Sequence, residues 1–229
     1  MIAHLACIMD GNRRWARKYG LPSVMGHREG VKTVEQVIKY CLEKGIKYLS
    51  LYTFSLENFK RSVEEKSFLF NLIAEQAKDK LSKALEGGIR VRFLGDRSLF
   101  PPHIKEVCEE LERKTADQKK IVVNFLFCYG GQQEIVAACK NILVDVEQGI
   151  VKRDEITVDL FRTHLWTGDC PPPEIVIRTG GVKRLSNFLS FQSAYSELFF
   201  SDTFWPAFTI EELDSIMENY KNIQRNFGA

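Results

Sequence analysis

An acidic residue, a glycine and two arginines follow the first apolar segment of the chain. Residues 4–9 are largely apolar, and the segment DGNRR, which starts at Asp10, comes directly after them. A carboxylate can hold a divalent cation against a phosphate, and a glycine lets the backbone approach a ligand closely. Arginines that open a helix donate forked hydrogen bonds to an anion. The segment therefore fits a metal-bound phosphate, although an Asp-Gly turn before a basic helix is by itself more often a turn with a solvated face.

Two further polar clusters come after apolar segments. The cluster SLENFKR, residues 55–61, follows one apolar segment, and the cluster RTGGVKRLS, residues 178–186, follows another. Solvated surface alone does not explain polar clusters of this composition after three predicted strands. The sequence therefore predicts an anion-binding site that is built by several strand-end loops.

The three clusters need elements that bring strand ends together. Short apolar segments predict strands, and amphipathic segments between them predict helices. The predicted strands span residues 4–9, 48–54, 89–94, 121–127 and 174–177, and the predicted helices span residues 26–43, 63–86, 101–114 and 132–146. This alternation indicates right-handed crossovers and a mostly parallel central sheet flanked by helices, with ligands bound beyond the carboxyl ends of the strands. We expect an α/β protein with a single domain over residues 1–229.

Composition narrows the class of protein. Hydrophobic residues make up 45% and charged residues 27% of the 229 residues, which excludes disordered, collagen-like and disulfide-scaffold classes. The formal charge of +2 is too balanced for a protein whose main task is to bind nucleic acid. The six cysteines form no C-x-x-C pair, and no segment has the length of a membrane span or the layout of a secretion signal. We expect a reduced, cytoplasmic protein.

The motifs together resemble those of the cis-prenyltransferases, the undecaprenyl diphosphate synthase family. The matching strings are MDGNRRWA, GH at residues 26–27, YTFSLENFKR, NFLFCYGG and IRTGGVKRLSNFLSFQSAYSELFF, in the family's order. The resemblance implies a homodimeric enzyme that uses Mg²⁺ to add isopentenyl diphosphate, with new Z double bonds, to an allylic diphosphate of farnesyl or geranyl type. It implies an undecaprenyl-type precursor of the carrier lipid for cell-wall glycans, and peripheral contact with a membrane surface during product release.

The resemblance also assigns roles to individual residues. It makes Asp10 the catalytic aspartate and a ligand of Mg²⁺, Glu197 the second metal ligand, and Asn58 a catalytic residue. A neutral amide is a very weak base, so Asn58 is expected to orient isopentenyl diphosphate while a diphosphate oxygen takes the proton. The implied substrate-binding residues are Gly11, Asn12, Arg13, Arg14, Trp15, Ser23, His27, Ser55, Leu56, Glu57, Phe59, Arg61, Arg178, Arg184, Leu185 and Ser186.

The resemblance also divides these residues between the headgroups of the two substrates. The segment that starts at Asp10 would hold the allylic diphosphate, and Arg178, Arg184, Leu185 and Ser186 would hold isopentenyl diphosphate. Considered without the family, Trp15 could be a core residue and His27 a structural one.

Several positions depart from the family pattern. Ser23 stands where relatives commonly have arginine, Arg13 where bacterial members often have glycine, Phe59 where tryptophan is usual, and Lys183 where histidine is frequent. We predict that Arg13 supplies the cation that is missing at Ser23. The family's Arg-x-Gly ending is replaced by Asn226-Phe227-Gly228, with Arg225 one place early.

The predicted helix over residues 63–86 carries a broad apolar band. The band comprises Phe68, Leu69, Phe70, Leu72, Ile73, Ala77, Leu81 and Leu85. Such a band by itself favours a helix packed into the core. The resemblance implies instead that this helix and the sheet enclose an apolar tunnel for the prenyl chain, in which each buried CH₂ contributes about 0.8 kcal/mol.

Other functions fit parts of the sequence. A noncatalytic subunit of a heteromeric prenyltransferase would share the fold, but such subunits typically lose motif residues that are present here. A phosphatase with Asp10 as nucleophile usually needs a second carboxylate two residues later, where this chain has Asn12. The trans-prenyltransferases are excluded because no two aspartates are adjacent in this chain.

Overall fold

A computed structural model describes residues 2–224, which form an alternating series of strands and helices. The strands are β1 (His4–Ile8), β2 (Tyr48–Ser55), β3 (Ile89–Leu94), β4 (Ile121–Tyr129), β5 (Ile175–Arg178) and β6 (Glu197–Phe200). The helices are α1 (Asn12–Lys18), α2 (Ser23–Lys44), α3 (Val63–Asp79), α4 (Leu81–Gly87), α5 (Pro102–Thr115), α6 (Gly131–Glu147), α7 (Val158–Thr163) and α8 (Ile210–Lys221). The predicted α/β architecture is confirmed, and each predicted strand is present within a few residues of its predicted bounds.

The strands form one sheet with the order β3-β4-β2-β1-β5-β6. All five neighbouring pairs are parallel. Strand β1 lies between β2 and β5, so the loops that follow these three strands meet at the carboxyl edge of the sheet. These are the loops that carry the three polar clusters.

The core lies on both faces of the sheet because alternate residues of a strand point to opposite faces. Leu5 and Cys7 of β1 belong to a buried cluster with residues of α2 and α8. Ala6 and Ile8 belong to a different cluster that contains Phe188. Burial on both faces explains why β1 is apolar without alternation.

The predicted helix over residues 63–86 is wrong as a single helix. It is divided into α3 and α4 at Lys80, whose backbone has φ −101° and ψ 1°. The Lys80 ammonium lies 2.7 Å from a carboxylate oxygen of Glu35 in α2. Hydrophobic periodicity does not detect such a break because the residues on both sides are helical.

Other elements extend beyond the prediction. Strand β6 and helices α7 and α8 are not among the predicted elements, and β6 holds Glu197 as its first residue. The predicted departures at Arg225 and at residues 226–228 lie outside the described residues. Between residues 2 and 224, no helix has the length and apolar character needed to cross a membrane. All six cysteines are free thiols.

A buried polar network crosses the sheet beside the core. The His4 side chain is 1% exposed, its Nδ1 lies 2.6 Å from the carbonyl oxygen of Pro171, and its Nε2 lies 2.8 Å from Ser50 Oγ. Because a carbonyl oxygen only accepts, Nδ1 carries the proton of the neutral ring and Nε2 accepts from the hydroxyl. Asn124 Nδ2 also donates to Ser50 Oγ, at 3.1 Å. The network therefore holds His4 in its neutral form.

We predict that this network makes the free energy of unfolding fall in weak acid. Burial lowers the pKa of His4 from 6.5 to about 4. Between these values the unfolded chain binds a proton that the folded protein does not, so stability decreases as the pH falls from 6.5 to 4, by up to about 3 kcal/mol. Urea unfolding of the wild type and of His4→Gln between pH 7 and pH 4.5 measures this. An equal pH dependence in the two proteins would contradict the prediction.

Candidate active site

A cavity of about 1490 Å³ opens at the carboxyl edge of the sheet and extends between the sheet and helices α2 and α3. Most of the predicted site residues line its polar mouth. These are Asp10, Gly11, Asn12, Arg13, Arg14, His27, Ser55, Glu57, Asn58, Arg61, Arg178, Arg184 and Ser186. The interior is apolar, with residues such as Ile38, Leu72, Ala77, Val91, Phe93 and Phe125. The cavity thus combines a cationic mouth with a hydrocarbon-lined interior.

Asp10 is held between two arginines at the mouth. Its Oδ1 lies 3.1 Å from Arg14 Nη2, and its Oδ2 accepts from Arg178 Nη2 at 2.9 Å. The Asp10 side chain is 30% exposed, whereas that of Arg178 is 6% exposed. A carboxylate that is paired on both oxygens but open to the cavity can meet a cation that arrives with an anionic ligand.

The backbone of Asp10 is fixed by residues from the distant end of the chain. Thr179 Oγ1 donates to the Asp10 carbonyl oxygen at 2.8 Å and accepts from the Asp10 N–H at 3.1 Å. Trp205 N–H donates to the same carbonyl at 3.0 Å. Gly11 has φ +106°, and a Cβ at this position would lie 2.7 Å from the Phe204 ring. The turn therefore needs glycine both for its left-handed backbone and for close packing.

Arg178 joins the first polar cluster to the last. Its Nη1 donates to the carbonyl oxygen of Arg184 at 2.5 Å and to Ser186 Oγ at 2.7 Å, while its Nη2 contacts Asp10. Arg184 Nε donates to Ser186 Oγ at 3.2 Å. Arg178 Nε is buried and has no hydrogen-bond partner among the described residues. The structure thus brings the predicted residues of both headgroup sites into one hydrogen-bonded array.

Glu65 of α3 contacts three of the predicted site residues and is absent from the residues that the sequence predicts for the site. Its Oε1 accepts from Arg61 Nη1 at 3.0 Å, and its Oε2 lies 3.7 Å from Arg13 Nη1. His27 Nε2 lies 4.0 Å from Glu65 Oε1. The sequence does mark Glu65 in one way: a serine followed three places later by an acidic residue is a helix-capping pattern. In the structure the Glu65 N–H donates to Ser62 Oγ at 3.2 Å.

His27 is neutral in this environment. Burial is the main cause that lowers its pKa to about 4, and the positive charges of Arg61 and Arg13 act in the same direction. Its Nε2 is buried without a hydrogen-bond partner in the described part of the chain. The neutral ring offers a ligand one donor and one acceptor rather than a charge.

Asn58 lies at the mouth in a short 3₁₀ turn after β2. Its Oδ1 accepts from the Ser55 N–H at 3.2 Å, and both residues line the cavity. Because the amide oxygen already accepts a hydrogen bond, the side chain can offer its N–H donors to a ligand. This arrangement supports a role in orientation rather than as a base.

Six predicted site residues do not line the cavity, namely Trp15, Ser23, Leu56, Phe59, Leu185 and Glu197. Trp15 is half-buried and packs on Tyr19, with ring centroids 4.8 Å apart. Ser23 is exposed at the start of α2. Leu56, Phe59 and Leu185 pack against the core clusters. Their assigned roles in the site stay predictions.

The two predicted metal ligands are not brought together within one chain. Glu197 pairs with Ile175 at the amino end of β6, whereas the carboxyl end of β6 is Phe200, three residues and about 10 Å away. Asp10 lies beyond the opposite end, because the last pairs in this part of the sheet are Ile8 with Arg178 and Arg178 with Phe200. Within residues 2–224, no group of three or more His, Cys, Asp or Glu side chains could hold a metal ion.

The apolar band of the helix over residues 63–86 has two roles. Leu69, Leu72, Ile73 and Ala77 line the cavity. Phe68, Phe70 and Leu81 are half-buried against a core cluster, and Leu85 is 39% exposed. Part of the band therefore lines the cavity, and part packs into the core.

Known proteins match the chain over its whole length. The family described as putative undecaprenyl diphosphate synthase matches residues 8–228. The chain is 43% identical over 227 residues to the tritrans,polycis-undecaprenyl-diphosphate synthase (geranylgeranyl-diphosphate specific) of Pyrococcus furiosus, covering 98% of this chain and 86% of the relative. It is 42% identical over 225 residues to the ditrans,polycis-undecaprenyl-diphosphate synthase ((2E,6E)-farnesyl-diphosphate specific) of Pseudomonas aeruginosa, covering 98% and 90%.

A solved structure shares the fold. Lavandulyl diphosphate synthase from Lavandula x intermedia, solved in complex with dimethylallyl diphosphate, superposes with a TM-score of 0.96 at 30% identity, covering 100% of this chain and 98% of that chain. A cavity with a cationic mouth and an apolar interior is what a diphosphate with a hydrocarbon tail requires. The motifs, the fold and these matches agree, and the chain belongs to the cis-prenyltransferase family of enzymes.

Proposed function

We propose that this protein condenses isopentenyl diphosphate with an allylic diphosphate of farnesyl or geranyl type to give a Z-polyprenyl diphosphate, an undecaprenyl-type carrier-lipid precursor. The observation that carries the proposal is the array of Asp10, Arg178, Arg184 and Ser186 at the mouth of an apolar cavity. In the reaction a carbon–carbon bond forms between the allylic carbon and the terminal carbon of isopentenyl diphosphate. The bond between the allylic carbon and its diphosphate oxygen breaks, so inorganic diphosphate leaves with the bonding electrons, and a proton is lost from the isopentenyl unit as the new double bond forms.

The arginines divide into two groups that suit two diphosphates. Arg13, Arg14 and Arg61 lie on the side of Asp10 that faces α1 and α3, where the allylic diphosphate would bind. Arg178 and Arg184 lie on the β5 side, where isopentenyl diphosphate would bind. Arg14 and Arg61 are ion-paired with Asp10 and Glu65 before reaction, and cations positioned in this way can stabilise the charge that develops on the leaving diphosphate.

The donor set at the mouth fits Mg²⁺ that is carried by a diphosphate. Mg²⁺ is usually bound by one or two carboxylates together with substrate phosphates and water. The Asp10 carboxylate is partly exposed to the cavity and would hold the ion. When bound, Mg²⁺ would neutralise negative charge on the diphosphate as a Lewis acid. Glu197 stays a predicted second ligand.

The product tail is expected to occupy the apolar interior, so filling that interior should shorten the product. Ala77 of α3 is 7% exposed and lines the cavity, and Ala77→Leu adds volume there. We expect a shift of the product distribution towards shorter chains, measured by chromatography of labelled products. Overpacking itself costs about 1 to 3 kcal/mol of stability.

Ala138→Leu is the matched control, because Ala138 is buried in α6 and does not line the cavity. Unchanged product lengths in Ala77→Leu, with a lower melting temperature, would contradict the tunnel assignment.

Incubation with labelled isopentenyl diphosphate and a series of primers tests the proposed function. The primers are geranyl, farnesyl and geranylgeranyl diphosphate, because relatives of nearly equal identity are named for different primers. We expect products with Z double bonds in the presence of Mg²⁺ and none with a chelator. No product with any primer would favour the noncatalytic subunit. The homodimer and the contact with a membrane surface remain predictions.

A further inference from the structure

The segment that follows Ser186 has an unusual backbone. Ser186, Asn187 and Leu189 have φ values of 50°, 64° and 43°. This left-handed region is unfavourable for residues other than glycine, and asparagine is among those that tolerate it best. Three such residues within four positions indicate that surrounding contacts hold the segment in place. The segment begins at the serine that contacts Arg178 and Arg184.

Asn187 connects this segment to two other parts of the mouth. Its Nδ2 donates to Glu57 Oε1 at 3.2 Å and to Gln133 Oε1 at 3.0 Å. Its Oδ1 accepts from Gln132 N–H at 2.8 Å, and its carbonyl oxygen accepts from Gly131 N–H at 2.7 Å. One half-buried side chain therefore bridges the turn after β2 and the start of α6.

Gly130, the first glycine of the NFLFCYGG motif, lies close to this bridge. A Cβ on Gly130 would lie 2.3 Å from Gln133 Oε1 and 2.8 Å from Asn187 Nδ2. A side chain at this position would displace the amide that joins Asn187 to α6.

The bridge acts on the headgroup site through the neighbouring residue. Ser186 Oγ accepts from Arg178 and Arg184, and the Ser186 carbonyl oxygen accepts from Tyr52 OH at 3.2 Å. The peptide plane that joins Ser186 to Asn187 carries the Ser186 Cα and carbonyl oxygen, so the contacts of Asn187 and of Tyr52 restrict the backbone from which the Ser186 side chain projects. The two arginines and the serine are then held in one geometry before a ligand arrives.

We propose that Asn187 is a positioning residue for the isopentenyl diphosphate headgroup, acting through Ser186 and its two arginines. This inference rests on the proposed function, which places that headgroup at Arg178 and Arg184. A side chain that only stabilised the fold would affect both substrates together. A positioning residue on this side of the mouth should affect isopentenyl diphosphate selectively.

Two variants separate the backbone from the side chain. Asn187→Gly keeps the left-handed conformation accessible and removes every side-chain hydrogen bond. Asn187→Asp keeps an acceptor for Gln132 N–H but replaces the donor to Glu57 with a second carboxylate. Asn222→Gly is the matched control, because Asn222 is exposed at the end of α8.

The test measures equilibrium binding of isopentenyl diphosphate by calorimetry, together with the KM of each substrate and the melting temperature. We expect Asn187→Gly and Asn187→Asp to weaken isopentenyl diphosphate about tenfold in Kd and KM, with the allylic KM within twofold of wild type and Asn222→Gly unchanged. Unaltered isopentenyl diphosphate affinity in a folded variant, or equal effects on both substrates, would overturn the inference. If one variant fails to fold, the other decides the question.

The calorimetric measurement of isopentenyl diphosphate binding distinguishes a failure of this inference from a failure of the proposed function. An active wild type whose Asn187 variants bind normally would remove only the role of Asn187. A wild type that binds isopentenyl diphosphate but makes no product would remove the proposed activity, and the variants would still report on positioning.

Discussion

Replacing Asp10 with alanine is expected to lower turnover by about a thousandfold while leaving the fold and most of the affinity for isopentenyl diphosphate intact. The carboxylate lies between Arg14 and Arg178, and it is the group proposed to hold Mg²⁺ against the leaving diphosphate. Loss of charge stabilisation in the transition state is worth about 4 kcal/mol, which corresponds to this factor. Asp10→Asn should have a similar effect, because it retains the shape of the side chain and removes its charge.

Steady-state kinetics with labelled isopentenyl diphosphate and circular dichroism melting measure these effects. Asp159→Ala is the control, since Asp159 is a carboxylate on α7 whose side chain is 87% exposed and pairs with Arg162. It should behave as wild type. If Asp10→Ala retains more than a tenth of wild-type turnover, Asp10 is not the catalytic ligand.

Replacing Arg178 with alanine is expected to produce the second largest effect, and a different one from Arg184→Ala. Arg178 is buried and contacts Asp10, Ser186 and the Arg184 carbonyl, so its loss should raise the KM for isopentenyl diphosphate and also lower kcat. Arg184 is exposed and contacts Ser186, so its loss should chiefly raise that KM. Each charge-assisted contact is worth about 1.5 to 3 kcal/mol, or roughly ten to a hundredfold in affinity.

Arg178→Lys sharpens the comparison because it keeps the positive charge and removes the forked donor geometry. A lysine has no planar group that could contact Asp10, Ser186 and a carbonyl oxygen together. We therefore expect the KM and kcat of Arg178→Lys to lie between those of Arg178→Ala and the wild type. The measurement is the KM of each substrate at saturating concentration of the other. Equal increases in the KM of both substrates would contradict the assignment of separate headgroup sites.

Much of the fold and the general location of the site could be predicted from the sequence. Residues 4–9, 121–127 and 174–177 are largely apolar without alternation, which is the local consequence of a strand buried on both faces of a parallel sheet. Once the sheet is parallel, the ends of its strands must meet at one edge, so polar residues after the strands are expected to lie together. Periodicity and topology together are sufficient for this step.

The contacts within the site depend on the tertiary structure. Asp10 and Arg178 are 168 positions apart and Asn187 and Glu57 are 130 positions apart, and local sequence carries no information about such pairs. The same holds for Glu65, which local sequence marks only as the end of a capping pattern, and for the break at Lys80, which lies against Glu35 of another helix.

Glu197 shows most directly that a residue's position in the sheet cannot be predicted from its neighbours in the sequence. The family resemblance assigns it as the second metal ligand, and the register of β6 on β5 places it at the amino end of its strand. Register is set by how two strands pack across the whole sheet, and a strand of four residues does not specify it alone. The sequence determined by itself which chemical groups follow each strand, because that is a property of neighbouring residues. Which of those groups touch one another was decided by packing between distant segments, because only packing fixes distances in space.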